Sequence, residues 1–336
     1  LIFLEADMGI SPLDLEDVDT KDGVLIQRGL QKLGFYDGSF RGTPGAITKA
    51  AYSAYRSDGP ESDATVTSPQ TSTGTQLDYN SKVKAELAFP GTVKDGARGI
   101  KARRVQEWLT FNDFRTAVDD DFGAATERAL KDFQASKSLN QTGVVDEATW
   151  AQLTAPMLRA FSTPSTGAGQ TLSETVFTVA RQHLREHPVE IGGQNRGPWV
   201  RAYMNGNEGN PWPWCAGFVT FVLKQAAQVS GTKTPITGSF SCDVLANQAK
   251  EKSRFVSENS IKKDASLFTN AHLGECCIFL VRRTSTDWTH TGFAFNYDGS
   301  TFQTIEGNTN DEGSREGYEV CRRTRGRGKM DFIKLD

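Results

Sequence analysis

One spacing of residues occurs twice in the first half of the chain, and it divides the molecule into units before any composition is considered. The first copy runs Ile26-Gln27, Leu30, Phe35, Gly45, Ile47-Thr48, Ala51-Tyr52 and Tyr55. The second runs Val105-Gln106, Leu109, Phe114, Gly123, Ala125-Thr126, Ala129-Leu130 and Phe133. Self-similarity of this kind marks a supersecondary unit used more than once. Apolar residues at three- and four-residue steps give each helix one buried stripe, so each copy reads as helix, Gly/Asp-rich turn, helix. The second copy continues through Leu139, Gly143, Val144, Thr149-Trp150 and Leu153 to a third helix; the first is weaker, and its third helix dissolves into polar sequence. Residues Pro60 to Gln76 are mostly Ser, Thr, Asp, Pro and Gly, with almost nothing to bury, which is the composition of a flexible linker. A second polar joint spans Ser162 to Gln170. The resulting division is a degenerate first repeat at 1–59, a linker at 60–78, a second module at 90–160, a linker at 161–171 and a C-terminal domain at 172–336.

The C-terminal domain opens with apolar residues at helical spacing, Leu172, Val176, Val179, Ala180 and Leu184, which predict a helix to about His187. Turn residues follow in Asn195-Arg196-Gly197-Pro198 and from Asn205 to Pro213, and Ala216 to Ala227 reads as a buried helix. Cys276 to Val281, Thr291 to Tyr297, Phe302 to Ile305 and Asp331 to Leu335 are apolar, aromatic or β-branched and read as strands. Helices followed by an antiparallel sheet make an α+β domain. The stretch from Thr232 to Leu273 looks like an insertion, either shaping a groove or forming an elaborated surface loop.

At 336 residues the chain has room for two or three domains. Its net charge of −3 argues against a protein that coats nucleic acid, which needs a surplus of Lys and Arg. The basic run Arg322-Arg323-Thr324-Arg325-Gly326-Arg327-Gly328-Lys329 carries no interleaved stacking aromatics; it reads as a basic strand end that attracts acidic polymers. No stretch supplies the roughly 18 apolar residues of a membrane span, and Leu1 to Leu4 is no signal peptide. The five cysteines, Cys215, Cys242, Cys276, Cys277 and Cys321, are odd in number and lack zinc-knuckle spacing. Most of them read as small buried apolar residues. His183 and His187 lie four apart on a helix with no third ligand nearby, which suits a solvated face. Neither a metal nor a cofactor is expected, and the chain is expected to be a monomer.

Chemistry concentrates in Pro213-Trp214-Cys215-Ala216-Gly217-Phe218-Val219. This run places Cys215 at the start of a helix, where unsatisfied amides and the positive end of the dipole favour a thiolate. His290, in Trp288-Thr289-His290-Thr291-Gly292, is the candidate base that takes the thiol proton and later delivers it to a leaving amine. Such an imidazole needs a group on its other nitrogen. Glu306 and Asn308, in Thr304-Ile305-Glu306-Gly307-Asn308-Thr309, are two apart and point to one face if the strand persists; Glu306 is the orienter and Asn308 its support. Trp212, Trp214 and Trp288 stand near these residues in sequence and line the groove or fill the core.

The Gln and Leu of a first helix, a Phe-x-Asp-Gly style turn and a Thr opening the second resemble the small three-helix peptidoglycan-binding module, over 24–55 and 100–153. The order Cys, His, Glu/Asn, with Pro-Trp-Cys-Ala and Glu-Gly-Asn-Thr, resembles the CHAP family of papain-like amidases and peptidases, over 176–335. That resemblance implies a papain-like α+β catalytic domain that cleaves amide bonds of peptidoglycan through a thioester and without a metal. Cys215 matches its nucleophile, His290 its base, and Glu306 with Asn308 its polar third position. The expected partner is peptidoglycan, with no nucleic acid and no membrane span. The place of action is the cell wall, periplasmic or extracellular, reached by lysis in an endolysin-like manner or by secretion. Amidase and endopeptidase remain equal readings. The rivals are a non-catalytic peptidoglycan-binding protein and a papain-like deamidase or transferase acting on a protein.

Overall fold

A computed structural model describes residues 77–336 apart from 165–168 and 311–316. The repeat expected at 1–59 and the linker from 60 to 76 lie outside the described residues.

The described chain begins with four helices: α1 (Ser81–Leu87), α2 (Ile100–Phe111), α3 (Ala124–Ser136) and α4 (Glu147–Phe161). The repeated Gln and Thr explain how two of the turns between them are held. Gln106 of α2 accepts the N–H groups of Asp119 and Asp120 and donates to the Thr126 hydroxyl in α3. Gln134 of α3 repeats the device: it accepts the Gly143 N–H and donates to the Val144 carbonyl and the Thr149 hydroxyl in α4. Both glutamines are buried. A buried amide left unpaired costs about 1–3 kcal/mol, so each Gln holds its loop in one conformation.

The second half adds α5 (Leu172–Glu186), α6 (Pro198–Tyr203), α7 (Cys215–Val229) and α8 (Cys242–Glu251), then the short α9 (Glu258–Lys263) and α10 (Asn270–Leu273). Its strands are β1 (Phe255–Val256), β2 (Cys276–Thr284), β3 (Asp287–Phe295), β4 (Thr301–Thr309), β5 (Glu319–Gly326) and β6 (Met330–Ile333). They form one antiparallel sheet in the order β1-β6-β2-β3-β4-β5. This is the mixed helix and antiparallel sheet expected from the sequence. Successive residues of a strand face opposite ways, and β2 uses both faces. Cys276, Ile278 and Leu280 join the core beneath α5 and α7, whereas Cys277 and Phe279 join a second cluster with Ile261, Phe268 and Phe332. The segment 232–273 is therefore more than a surface loop, because α9, α10 and the turn between them cover the second face of the sheet. Among the described residues no helix is long and apolar enough to cross a membrane.

The basic run keeps its reading as a strand and its end: it lies in and just beyond β5, which pairs with β4 along its length. Three expectations change. His183 is on no solvated face. It lies on the buried stripe with Val176, Val179 and Ala180, 0% exposed, with Nδ1 2.8 Å from the Tyr203 hydroxyl and Nε2 2.9 Å from Gln225 Oε1. His187 hydrogen-bonds Glu319 at 2.5 Å, and among the described residues no cluster of three or more His, Cys, Asp or Glu is spaced for a metal ion.

The third change concerns the joint at 161–171, which connects helices that pack on each other. Gln182 of α5 donates to the carbonyls of Arg159, Ala160 and Ser162 at the end of α4. Trp199 of α6 sits among Trp108, Phe111 and Phe161, with ring centroids 5.6–6.5 Å apart. Beside it, Arg201 donates to Glu86, Glu107 and Glu208. One apolar core runs through both halves.

Candidate active site

The loop before α7 is locked onto the sheet before the helix begins. The Trp214 N–H donates to Asn308 Oδ1 at 2.9 Å, its indole N–H donates to Glu190 at 2.9 Å, and its ring stacks on Tyr203 with centroids 5.6 Å apart. Gly307 makes the approach possible. A Cβ there would lie 2.7 Å from both Phe218 and Trp214, so any larger residue would push α7 off β4. The first residue of α7 is then Cys215, 5% exposed, against β3 and β4.

Three groups converge on its sulfur. Cys242 Sγ lies 3.9 Å away, and the His290 ring and the Ala216 N–H lie close enough to favour its charged form. The contact with Cys242 lowers the thiol pKa most, burial raises it, and His290 and the Ala216 amide lower it again; together they hold Cys215 well below the ordinary thiol value. His290 Nε2 is 2.8 Å from Glu306 Oε2, which leaves Nδ1 for the thiol. Burial disfavours the charged ring, but Cys215 and Glu306 outweigh it and raise the His290 pKa to about 9. Both shifts act in the same direction, favouring a thiolate beside an imidazolium over a thiol beside a neutral ring.

Glu306 is fully buried. Burial alone would raise its pKa, yet Arg325 and His290 hold it well below the usual carboxylate range. Arg325 grips it with two parallel bonds of 2.5 and 2.6 Å, and the Thr304 hydroxyl donates to it at 2.5 Å. A bidentate fork fixes orientation as well as charge. The row Arg325, Glu306, His290, Cys215 therefore has every charge compensated by its neighbour.

The structure brings together Cys215, His290 and Glu306. Asn308 stands elsewhere. The pairing of β4 with β5 shifts register between Glu306 and Thr309, and Asn308 takes φ +55°, a left-handed conformation that Asn tolerates better than most residues. The bulge breaks the alternation that would have put it on the face of Glu306. Its amide donates to the Gly317 carbonyl while its oxygen takes the Trp214 N–H, so it braces the start of α7 rather than the imidazole.

The tryptophans are corrected as well. Trp214 and Trp288 are 0% and 4% exposed, and the Trp288 indole donates to Asp331 at 2.9 Å; buried rings with paired N–H groups offer no face to a ligand. Trp212 is half-buried and packs against the same core.

Two residues that sequence reasoning passed over meet this site. Arg325 belongs to Arg323, Arg325 and Arg327, whose period of two was a strand signal inside the basic run. Cys242 opens α8 behind its cap Ser241; the cap was legible, but a contact across 27 residues was not.

Comparison with known proteins yields one match. Residues 98–153 match a family model described as "Putative peptidoglycan binding domain", which covers α2, α3 and the first half of α4 with their two Gln-held turns. No curated protein and no solved structure matches the chain. The helical unit is thus similar to a peptidoglycan-binding domain, which supports association with the cell wall and peptidoglycan as a partner.

Proposed function

We propose that the protein is a cell-wall hydrolase of papain-like, CHAP-type chemistry, cutting an amide bond of peptidoglycan through a thioester on Cys215. The observation that carries this reading is the row of Cys215 at the start of α7, His290 on β3 and Glu306 on β4, in a chain that also has a unit similar to a peptidoglycan-binding domain. The Cys215 thiolate attacks the amide carbonyl carbon. His290 gives its proton to the leaving amine as the C–N bond breaks, and the acyl group stays on sulfur. Neutral His290 then takes a proton from water, the hydroxide oxygen attacks the thioester, and the carboxylate leaves as the thiolate re-forms. Glu306 holds the ring in one orientation throughout and stabilises its charged form. Arg325 keeps Glu306 ionised and aimed.

Release of soluble fragments from purified sacculi tests this. Cys215→Ala is expected to lower the rate by about four orders of magnitude or more, with unfolding and sacculus binding unchanged. Cys276→Ala, in the sheet core, is the control that keeps its activity. Activity is expected to survive EDTA and to be lost to a thiol alkylator. Mass spectra of the fragments decide the bond: a lactyl end without peptide means amidase, and a new peptide amine means endopeptidase. Full activity in Cys215→Ala would overturn Cys215 as the nucleophile, and no release by the wild-type chain would overturn the hydrolase and leave a wall-binding protein.

A further inference from the structure

Cys242 is outside the row from Arg325 to Cys215, yet it touches the reactive atom. Its sulfur is 3.9 Å from that of Cys215, within reach of an S–H···S hydrogen bond, and both side chains are buried, at 7% and 5% exposure. Three links hold it there. The Thr220 hydroxyl of α7 donates to the Ser239 carbonyl at 2.8 Å and accepts the Ser239 N–H at 2.9 Å. A Cβ on Gly238 would lie 2.5 Å from Thr220, so this loop runs in close contact with the helix that carries the nucleophile. On the other side, Asp243 accepts the Trp288 N–H at 2.7 Å, which ties the first turn of α8 to β3 two residues before His290. Cys242 is therefore fixed with respect to both the nucleophile and the base.

The two thiols are not equivalent. His290 is available to take the proton of Cys215 and is already bound to Glu306 on its other side; among the described residues no imidazole is paired with Cys242. The hydrogen bond with Cys215, followed by burial, holds the Cys242 thiol well above its ordinary value. The contact itself allows either sulfur to donate; with His290 beside Cys215, Cys242 is the sulfur placed to keep its proton and donate it.

We propose that Cys242 is a positioning residue, whose S–H donates to the Cys215 thiolate and holds that sulfur against the His290 ring. The proposal rests on Cys215 being the nucleophile. Its test needs no substrate, so it stands or falls separately from the hydrolase reading. A buried thiolate deprived of this donor recovers a proton from His290 more readily, and the reactive fraction at neutral and acid pH falls.

The experiment is alkylation of the full-length protein by iodoacetamide across pH, with the modified Cys215 peptide quantified by mass spectrometry. In Cys242→Ala the inflection of the rate profile is expected to rise by about one unit or more, equivalent to about a tenfold slower reaction on the acid side. Cys242→Ser, which keeps a donor, is expected to stay near the wild-type inflection. Cys242→Val fills the space without a donor and gives the same reading as Ala where the smaller side chain unfolds the protein. An unchanged inflection in Ala and Val, or an equal shift in Ser, would overturn the proposal and make Cys242 a packing residue. A shifted inflection in a protein that releases nothing from sacculi would uphold the proposal and overturn the hydrolase.

Discussion

One mostly buried arginine lies where the halves of this molecule meet and another beside the thiol, and they sit in opposite charge balances. Arg201 faces three carboxylates, Glu86, Glu107 and Glu208, and Arg104 joins the group through Glu86 at 3.3 Å. Arg325 faces one, Glu306, and shares it with His290. In the first cluster burial raises the Glu107 pKa, and Glu208 and Glu86 add to the rise against the pull of Arg201. In the second, two cations overcome the same burial and keep Glu306 ionised. A buried ion pair says little about function by itself. What distinguishes the two is where the carboxylate's remaining lone pair goes: at the junction it goes to another part of the same network, and at the site it goes to a ring with a transferable proton. The first cluster is therefore expected to govern stability and the second the proposed chemistry.

Removing the junction altogether is expected to have the largest effect. A fragment beginning at Leu172 strips Trp108, Phe111 and Phe161 from Trp199 and takes Glu86 and Glu107 from Arg201. It is expected to lack a cooperative thermal transition and to bind a hydrophobic dye. A fragment that melts cooperatively at the temperature of the whole chain would show that the two halves are independent and would dissolve the comparison.

Glu306→Gln attacks the second cluster while keeping its shape. The amide can hold the ring but carries no charge to stabilise imidazolium, so sacculus hydrolysis is expected to fall by roughly 10⁴-fold, by analogy with orienting carboxylates in other triads. Arg201→Met is the matching test of the first cluster. Losing one partner of a buried ion pair costs about 3–5 kcal/mol, and denaturant unfolding is expected to report that loss. The pH profile of Cys215 alkylation is expected to stay unchanged below the transition. A shift in that profile would mean that the two clusters communicate.

The smallest effect falls on His183, buried between the halves. Burial lowers its pKa from 6.5 to about 4 against the opposing bond from Gln225. Between these values the unfolded chain binds a proton that the folded chain does not, so stability rises with pH across the window and is lost as pH falls through it. The contribution is about 3 kcal/mol. Denaturation curves for wild type and His183→Gln between pH 4 and 7 should diverge toward high pH by that amount. Parallel curves would show that the ring titrates normally in the folded state.

Much of the candidate site was readable from residues close together in the chain. The apolar run from Ala216 to Ala227 requires a helix, and Pro213 with Trp214 stops it upstream, so Cys215 had to fall at its beginning. Alternating and β-branched runs placed His290 and Glu306 on strands, and antiparallel neighbours bring such residues within reach. The Gln, turn and Thr spacing carried the helical unit, because the Gln-to-Thr hydrogen bonds that hold its turns span 20 and 15 residues. In all these cases local propensity and hydrophobic period reach as far as the interaction does.

The rest was decided by tertiary structure, since it depends on register and on surfaces that meet only after folding. One bulge between Glu306 and Thr309 turned Asn308 from the imidazole to the Trp214 amide; a strand's face inverts with a single extra residue, and the sequence Glu-Gly-Asn-Thr contains no marker for it. Trp214 and Trp288 read equally well as groove or core, and only the packing of Tyr203 and the position of Asp331 buried them. Arg325 looked like surface charge until β5 paired beside β4 and set it over Glu306, 19 residues away. Cys242 needed α8 to be held between Thr220 and Trp288. Arg201 reaches Glu86 across 115 residues, and no local pattern constrains a contact whose formation must first offset the entropy of closing so long a loop.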